Sequence, residues 1–283
     1  MIISDLIKIG SETLKKREIS SHLLDSELLL SRLLKCSREK LLTSEDQMIP
    51  KTIELDFNKL IGRRVKNEPV AYIFNYKEFW NNKFIVSKDT LIPRPETELL
   101  VEKILKYFCN KKPFILDIGS GSGCIILTLL QEIKKSYGFG IDVSKKALKI
   151  SIKNAIKLGL ESKIKFYNRS LEEIYGYKFD LIVSNPPYIC SNQIKNLTDD
   201  IKKYEPRLAL DGGNDGLDVI KKVIYKSKSI LKRKGMLALE IGNGHYKKVS
   251  QILKLQGFRN KFLIKDYKEN IRCILTILES WTK

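Results

Sequence analysis

The tetrapeptide Asn185-Pro186-Pro187-Tyr188 follows a continuous apolar run and suits chemistry on a flat NH2 group. A planar nitrogen has a delocalised lone pair, so it attacks an electrophilic carbon only when acceptors hold its hydrogens and the lone pair is aimed. The side-chain oxygen of Asn185 and the backbone carbonyl of Pro186 supply two acceptors, on a turn that consecutive prolines make rigid. Tyr188 can stack on the flat target. We predict the tetrapeptide as the substrate site and Asn185, Pro186 and Tyr188 as catalytic residues; a plain rigid turn is the alternative.

A second motif, Asp117-Ile118-Gly119-Ser120-Gly121-Ser122-Gly123, lies between a short apolar run and an apolar helix. Alternate glycines let the backbone pass close to a ligand, because a β-carbon would occupy the ligand's space. The G-x-G-x-G spacing differs from the G-x-G-x-x-G of dinucleotide folds and favours S-adenosylmethionine, which has no pyrophosphate. The Asp117 carboxylate suits the cationic methionine end of that cofactor, and Asp142 can accept hydrogen bonds from both ribose hydroxyls. Without Asp142, a tight strand-to-helix turn would explain the glycines.

The elements that position these motifs change character near residue 80. Residues 2–65 carry helical apolar stripes, and residues 76–86 alternate around Asn81-Asn82, which predicts a hairpin with a two-residue turn there. A helix is predicted from Pro95 to Phe108, where proline and acidic residues suit a helix start, and another over 124–130. Strands are predicted at Phe114–Ile118, Tyr137–Asp142, 164–167, Phe179–Ser184, 236–241, Phe258–Lys265 and 272–278.

This alternation of strands and helices predicts a mostly parallel sheet covered on both faces, with ligands at the carboxyl ends of its strands. The last two strands are close enough to pair antiparallel, which favours a methyltransferase architecture over a dinucleotide dehydrogenase. We therefore expect an α/β fold: a class I, Rossmann-like, seven-stranded methyltransferase domain at 91–283, a small N-terminal helical domain at 1–74, and a β-hairpin connector at 75–90.

The composition narrows the classes of protein. With 283 residues, 43% apolar and 30% charged, the chain is long enough for one large domain and one small domain. Every apolar run is shorter than the roughly 18 to 20 residues that cross a bilayer. Asp5 and Glu12 fit neither a secretory signal nor a transit peptide, so we expect a cytoplasmic protein without membrane contact.

The cysteines and histidines offer little material for metal or nucleophilic chemistry. The five cysteines are scattered, odd in number and without a C-x-x-C pair, and the chain has two histidines and no H-E-x-x-H motif. We expect reduced thiols and no metal ion.

The net charge is strongly positive, with 52 Lys and Arg against 33 Asp and Glu, or +19. Such a charge attracts polyanions, so we expect RNA or the ribosome nearby. Lysines spread evenly over a solvated surface would explain the charge equally well.

With these motifs in view, the chain resembles the release-factor glutamine methyltransferases, the HemK or PrmC family, over nearly its whole length. Besides the tetrapeptide and the glycine loop, the resemblance is carried by Glu68-Pro69-Val70-Ala71-Tyr72-Ile73, Glu78-Phe79-Trp80, Leu91-Ile92-Pro93-Arg94-Pro95-Glu96-Thr97-Glu98 and Tyr204-Glu205-Pro206-Arg207-Leu208-Ala209-Leu210-Asp211-Gly212-Gly213-Asn214-Asp215-Gly216-Leu217.

The resemblance implies methyl transfer from S-adenosylmethionine to the side-chain amide nitrogen (N5) of the glutamine in the Gly-Gly-Gln motif of class I peptide chain release factors. It also implies that the helical N-terminal domain helps to grip the factor. The cofactor-binding residues expected from the motifs and the resemblance are Asp117, Gly119, Ser120, Gly121, Ser122, Gly123, Asp142, Leu171 and Asn185.

One departure concerns the adenine end of the cofactor. The family often has an acidic residue after the third strand, where Asn168-Arg169-Ser170-Leu171 has serine, so contact with the adenine amino group is expected to be weaker or made by backbone. Arg94 and Glu240 also resemble family positions, but ordinary helix-start and strand-end residues would look the same, and they receive no predicted role.

Three other functions compete with this interpretation. An N6-adenine methyltransferase of RNA or DNA faces the same planar-NH2 problem, and the positive charge suits it. A glutamine methyltransferase acting on a ribosomal protein would use identical chemistry with a different docking surface. A basic binding protein with a decayed active site has Ser170 as its only support.

Overall fold

The computed structural model describes residues 1–279. In chain order its main elements are α1 (Ile3–Lys15), α2 (His22–Leu34), α3 (Arg38–Leu42), α4 (Lys51–Val65), α5 (Val70–Phe74), β1 (Tyr76–Phe79), β2 (Asn82–Ile85), α6 (Pro95–Phe108), β3 (Phe114–Ile118), α7 (Cys124–Glu132), β4 (Tyr137–Asp142), α8 (Lys145–Lys157), β5 (Ile164–Asn168), β6 (Phe179–Ser184), α9 (Asp199–Tyr204), α10 (Asp218–Ile230), β7 (Leu231–Glu240), α11 (Tyr246–Leu255), β8 (Phe258–Lys265) and β9 (Ile271–Leu278). No helix within this part of the chain is long and apolar enough to cross a membrane.

The chain divides into two compact units. The first consists of Met1–Asn75 together with Thr198–Tyr204, and the second of Tyr76–Leu197 with the chain from Glu205 onward. Each unit has an apolar core of its own.

The first unit is helical, as the apolar stripes predict. Its core is formed by fully buried side chains such as Leu14, Leu29, Leu30 and Phe57, which lie on α1, α2 and α4. The short α9 belongs to this unit although it comes late in the chain, and the Tyr204 hydroxyl donates to the backbone carbonyl of Lys66 at 2.9 Å.

The second unit is built on a seven-stranded sheet with the order β5-β4-β3-β6-β7-β9-β8. All neighbouring strands are parallel except β9, which is antiparallel to both β7 and β8. One face packs against α6 and α7, and the other against α10 and α11. The predicted α/β fold, with its antiparallel pair at one edge, is confirmed.

Most predicted strand ends agree with the structure, but β7 begins earlier than the predicted 236–241. Leu231 already pairs with Phe179, and the register then shifts before Met236 pairs with Leu181. Within this irregular stretch Lys234 has a φ of 60°. The early start was missed because the run Lys232-Arg233-Lys234-Gly235 is charged and lacks the apolar character of a buried strand.

The hairpin forms, but its turn lies one residue earlier than the predicted Asn81-Asn82. Phe79 pairs with Asn82, so the turn residues are Trp80 and Asn81, and Trp80 has a φ of 54°. The prediction considered only local turn preference, whereas contacts with neighbouring helices hold the observed turn. The backbone N–H of Trp80 donates to Glu98 Oε1 at 2.9 Å, and its indole N–H donates to Glu132 Oε1 at 3.1 Å.

The parallel register brings four strand ends to one edge of the sheet. Ile118 pairs with Ile141 on one side and with Ser184 on the other, and Ser184 pairs with Leu239. The residues that follow β3, β4, β6 and β7 must therefore lie near one another, as expected for ligand binding at the carboxyl ends of parallel strands.

Candidate active site

A cavity of about 380 Å³ lies at the carboxyl ends of β3, β4 and β6. Residues predicted from widely separated motifs line it together: Gly119, Ser120, Gly121, Ser122, Asp142, Leu171, Asn185 and Pro187. Four other predicted residues are not among the residues that line it: Asp117, Gly123, Pro186 and Tyr188. The glycine loop, the second strand end and the tetrapeptide thus share one cavity.

The glycine loop has the backbone conformation that only glycine adopts readily. Gly119 has a φ of +74° and Gly121 a φ of +56°. A β-carbon at Gly119 would meet no atom within 4 Å, and one at Gly121 would meet only the Gly119 carbonyl oxygen, at 4.0 Å. Space is therefore open beside both α-carbons, so a ligand can approach the backbone closely.

Asp142 ties this loop to β4. Its two carboxyl oxygens accept the backbone N–H of Gly121 at 2.9 Å and of Ser144 at 2.8 Å. Burial raises the pKa of this carboxyl group, and the two N–H donors oppose that rise. Each carboxylate oxygen can accept a second hydrogen bond, so both remain able to receive a ribose hydroxyl.

Asp117 lies buried beneath the loop, with 1% of its surface exposed. Within residues 1–279, neither of its carboxyl oxygens has a hydrogen-bond partner. Burial, followed by the nearby Asp142 carboxylate, raises the pKa of Asp117 to about 8. An unpaired buried carboxyl, the open space at the glycines and the Asp142 acceptors fit a cationic nucleoside such as S-adenosylmethionine, and direct contact of Asp117 with its methionine end stays a prediction.

Ser170, which stands where the family often has an acid, is engaged in a local turn. Its side chain accepts the Glu173 backbone N–H, and the Glu173 carboxylate accepts the Ser170 backbone N–H at 2.7 Å. This reciprocal capping leaves Arg169 and Leu171 as the residues from this segment that line the cavity.

Asn185 is linked to two buried residues that the sequence did not identify as functional: Thr97, which also lines the cavity, and Glu240, which does not. Its side-chain Nδ2 donates to Thr97 Oγ1 at 3.3 Å, and the Thr97 hydroxyl donates to Glu240 Oε2 at 2.6 Å. Thr97 lies in the first turn of α6, Glu240 is the last residue of β7, and both are buried.

Tyr188, at the other end of the tetrapeptide, also contacts the Glu240 carboxylate. Its hydroxyl donates to Glu240 Oε1 at 3.3 Å and accepts from Arg272 Nη2 at 2.9 Å. Burial, followed by the Glu240 charge, raises the pKa of Tyr188 to about 12. The phenol therefore stays protonated, and its stacking on a substrate stays a prediction.

The glycine-rich stretch after α9 packs against the backbone of the tetrapeptide. The Ile189 N–H donates to the Leu210 carbonyl at 3.0 Å, and the Gly212 N–H donates to the Ile189 carbonyl at 2.8 Å. A β-carbon at Gly212 would lie 2.8 Å from the Pro187 carbonyl oxygen and from the Tyr188 α-carbon. Gly212 is therefore required for close approach of two backbone segments.

An ion pair joins the two loops that wall the cavity before α6 and after α9. Arg94 Nη2 lies 2.5 Å from Glu205 Oε1, and Glu205 Oε2 accepts the Ile92 N–H at 3.3 Å. The Glu205 side chain is 1% exposed. Arg94, which received no predicted role, thus helps to position Pro93 and Pro206 on the cavity wall.

The cysteines are all free, and one of them, Cys124, lines the cavity. Burial raises the pKa of Cys124 to about 12, so its thiol stays protonated and is a poor nucleophile. Among the described residues, no group of three or more His, Cys, Asp or Glu side chains is placed to hold a metal ion.

Two family models match this chain in sequence. Residues 5–74 match the PrmC N-terminal domain, and residues 79–213 match the methyltransferase small domain. A release factor glutamine methyltransferase of Clostridium acetobutylicum is 37% identical over 281 residues, covering 98% of this chain and 99% of that one. The protein of the same name from Clostridium botulinum is 38% identical over 278 residues, covering 97% and 98%.

The fold also has relatives among solved structures. The crystal structure of a methyltransferase from Pyrococcus furiosus superposes with a TM-score of 0.56 at 15% sequence identity, covering 77% of this chain and 99% of that one. At this identity the likeness concerns the fold alone, and it agrees with the methyltransferase architecture predicted from the alternation of strands and helices and the late antiparallel pair.

Proposed function

Because this chain belongs to the release factor glutamine methyltransferase family, we propose that it methylates the side-chain amide nitrogen (N5) of the glutamine in the Gly-Gly-Gln motif of class I peptide chain release factors. It is an S-adenosylmethionine-dependent methyltransferase. The observation that carries the choice of substrate is the sequence identity of 37% over 98% of the chain, which includes the N-terminal helical region as well as the methyltransferase fold.

In this proposal the glycine loop, Asp142 and Leu171 hold the cofactor, with the Asp117 carboxyl beneath the loop, where a bound cation would favour loss of its proton. When bound, S-adenosylmethionine supplies a methyl group on a positively charged sulfur, which the amide nitrogen takes with loss of one proton. The open backbone at Gly119 and Gly121 and the free lone pairs of Asp142 support this assignment.

The tetrapeptide orients the target amide. The Asn185 side-chain oxygen and the Pro186 backbone carbonyl accept the two N–H groups, so the nitrogen lone pair faces the methyl group. The Pro187 and Tyr188 side chains flank the flat group. Support comes from the position of Asn185 and Pro187 on the wall of the cavity that Gly119 and Gly121 also line.

The proposal assigns docking and chemistry to different parts of the chain. Residues 1–74 form the domain that grips the release factor, 75–90 the hairpin connector, and 91–283 the methyltransferase domain. The match of residues 5–74 to the PrmC N-terminal domain supports the first of these. The proposal places the enzyme in the cytoplasm, where translation ends. Part of its net charge of +19 would then attract nearby ribosomal RNA.

The competing substrates lack a specific supporting observation. An adenine methyltransferase of RNA or DNA would have no reason to share the PrmC N-terminal domain at residues 5–74. A ribosomal-protein glutamine would need the same chemistry but a different docking domain.

One labelling experiment tests the substrate. The purified protein is given methyl-labelled S-adenosylmethionine with a class I release factor, with the same factor carrying Gln→Ala in its Gly-Gly-Gln motif, with ribosomal proteins, or with RNA. We expect label only in the unmodified factor, on the glutamine side chain. Label that persists in the Gln→Ala factor, or that enters ribosomal protein or RNA instead, would refute the proposed substrate.

A further inference from the structure

A buried hydrogen-bond network lies behind the tetrapeptide and contacts both of its ends. We infer that Glu240, acting through Thr97, is a positioning residue that fixes which edge of the Asn185 amide faces the substrate. The inference rests on the proposed function, because it concerns the orientation of an acceptor for the target N–H. Thr97 and Glu240 are 143 positions apart, and no pattern in the sequence indicates that they are in contact.

The two ends of the network have fixed hydrogen-bonding character. The Arg272 guanidinium can only donate, and an ionised Glu240 carboxylate can only accept. Arg272 donates to the Tyr188 hydroxyl at 2.9 Å, so the phenol proton is directed to Glu240 Oε1 at 3.3 Å. The other oxygen, Oε2, accepts the Thr97 hydroxyl proton at 2.6 Å.

The partners of Glu240 favour its ionised form. Two hydroxyl groups donate to it, and Arg272 Nη2 lies 3.9 Å from Oε1. On balance the pKa of Glu240 is raised: burial has the largest effect and the Glu96 carboxylate adds to it, while Thr97, Arg272 and Tyr188 oppose the rise. The carboxyl group therefore has three donor or cationic neighbours and meets no acceptor for a proton of its own in the contacts described.

Thr97 transmits this polarity to Asn185. A threonine hydroxyl has one proton, and here it is used by Glu240, so Thr97 can offer only a lone pair to Asn185. The group of Asn185 that lies 3.3 Å from Thr97 Oγ1 must then be the NH2, as observed. The side-chain oxygen is left for the cavity, which Asn185 lines.

The opposite orientation would oppose catalysis. If the Thr97 proton pointed to Asn185, the amide oxygen would turn to Thr97 and the Asn185 NH2 would face the NH2 of the target glutamine. Two donors would then oppose each other where an acceptor is required. The hydroxyl of Thr97 and the charge of Glu240 therefore select the productive edge before the substrate arrives.

The test compares Thr97→Val and Thr97→Ser with a matched control, Thr128→Val. Thr128 on α7 is fully buried, and its hydroxyl has no hydrogen-bond partner in residues 1–279, so its replacement removes the same atoms without touching the network. For each variant, kcat is measured with a class I release factor at saturating cofactor, the cofactor Kd by calorimetry, and the melting temperature by circular dichroism.

We expect Thr97→Val to lower kcat roughly 10- to 100-fold while the cofactor Kd changes by less than about threefold. Thr97→Ser keeps the hydroxyl and should retain most of the wild-type kcat, and Thr128→Val should have the wild-type value. A Thr97→Val enzyme with the same kcat as Thr128→Val would overturn the inference. So would a defect confined to cofactor affinity that saturating cofactor removes.

Glu240→Gln provides an independent test. A glutamine can accept from only one of the two hydroxyls, because its other terminal atom is a donor. We expect kcat to fall, and we expect the double variant with Thr97→Val to lose no more than the worse single variant, since both act through Asn185. Additive losses would contradict a shared route.

The outcomes separate this inference from the proposed function. Failure of the wild-type enzyme to label the release factor would refute the substrate assignment. Normal labelling by the wild type together with full activity of Thr97→Val and Glu240→Gln would leave the substrate assignment standing and refute the positioning role.

Discussion

The carboxyl group of Asp142 accepts the backbone N–H of Gly121 at 2.9 Å, which joins the end of β4 to the middle glycine of the cofactor loop. Its second oxygen accepts the Ser144 N–H at 2.8 Å. One side chain thus sets the shape of the loop while facing the cavity with its remaining lone pairs. Cofactor affinity should therefore depend on Asp142 in two ways, through the loop and through direct contact.

Replacing Asp142 with asparagine should weaken cofactor binding. An amide has one acceptor atom, so one of the two backbone N–H groups would face an NH2 donor. We expect the Kd for S-adenosylmethionine to rise roughly 10- to 100-fold, measured by calorimetry. Asp266→Asn is the control for loss of the charge, because Asp266 accepts the Lys268 and Asn270 N–H groups on the single oxygen Oδ1, which an amide can replace, and does not line the cavity. Equal affinities of the two variants would contradict this role of Asp142.

Replacing Asn185 with alanine should separate chemistry from cofactor binding. The variant loses an acceptor that is needed when the target nitrogen reacts, while the glycine loop and Asp142 remain. We expect kcat to fall on the order of 100- to 1,000-fold and the cofactor Kd to change far less. Single-turnover labelling and calorimetry measure the two quantities. A parallel loss of both would mean that Asn185 mainly shapes the cofactor site.

Gly212→Ala should displace the backbone of the tetrapeptide, although Gly212 is not part of it. The new β-carbon would lie 2.8 Å from backbone atoms of Pro187, Tyr188 and Gly216, which cannot rotate aside as a flexible side chain could. We expect a lower kcat and a lower melting temperature. Gly62→Ala is the matched control, since a β-carbon at Gly62 on α4 meets nothing within 4 Å, and it should raise the unfolding free energy by about 0.5 to 1 kcal/mol. An active, stable Gly212→Ala protein would show that the loop can move away.

The buried Asp117 carboxyl should make stability depend on pH. Its pKa is about 8 in the folded chain, against the ordinary 3.8, so between these values the folded state binds a proton that the unfolded state has released. Stability from this group therefore falls as pH rises through that window, and Asp117→Asn should remove the fall. The unfolding free energy of the variant minus that of the wild type, measured by denaturant unfolding, should increase by up to about 1.4 kcal/mol per pH unit between pH 5 and 8. A difference that does not change with pH would exclude an abnormal pKa.

The parts of the fold that the sequence predicts well are those governed by local pattern. The ends of α6 and of β3, β4 and β6 agree with the structure because proline, acidic residues and apolar runs mark them directly, and the ends of β8, which alternates exposed residues with buried or partly buried ones, agree as well. The hairpin turn and the start of β7 do not agree, since the Glu98 carboxylate and the pairing of Leu231 with Phe179 come from distant parts of the chain.

The same distinction applies to the site. The glycine loop, Asp142 and Asn185 each follow a recognisable strand, so their placement at one edge follows from parallel topology. The Thr97–Glu240 contact was not predicted, although Glu240, like Asp142, is a carboxylate at the end of a strand in the parallel part of the sheet. Arg272 and Glu205 gave no comparable pattern, because their partners are defined only once the chain has folded.

Part of the positive charge lies on the two outer strands of the sheet, where it affects pairing with other chains. In the sheet formed by residues 1–279, β5 and β8 are the outer strands and each has a neighbouring strand on one side only; such edges can pair with strands of other chains. Exposed Lys165 on β5 and exposed Lys261 on β8 would lose hydration if another strand paired there, and they would repel a second copy with the same residues. The charges of Arg259 and Lys265 on β8 are partly balanced by Glu279 and Glu269. Charge at these two edges therefore opposes pairing with a second copy of the sheet, independently of any nucleic acid.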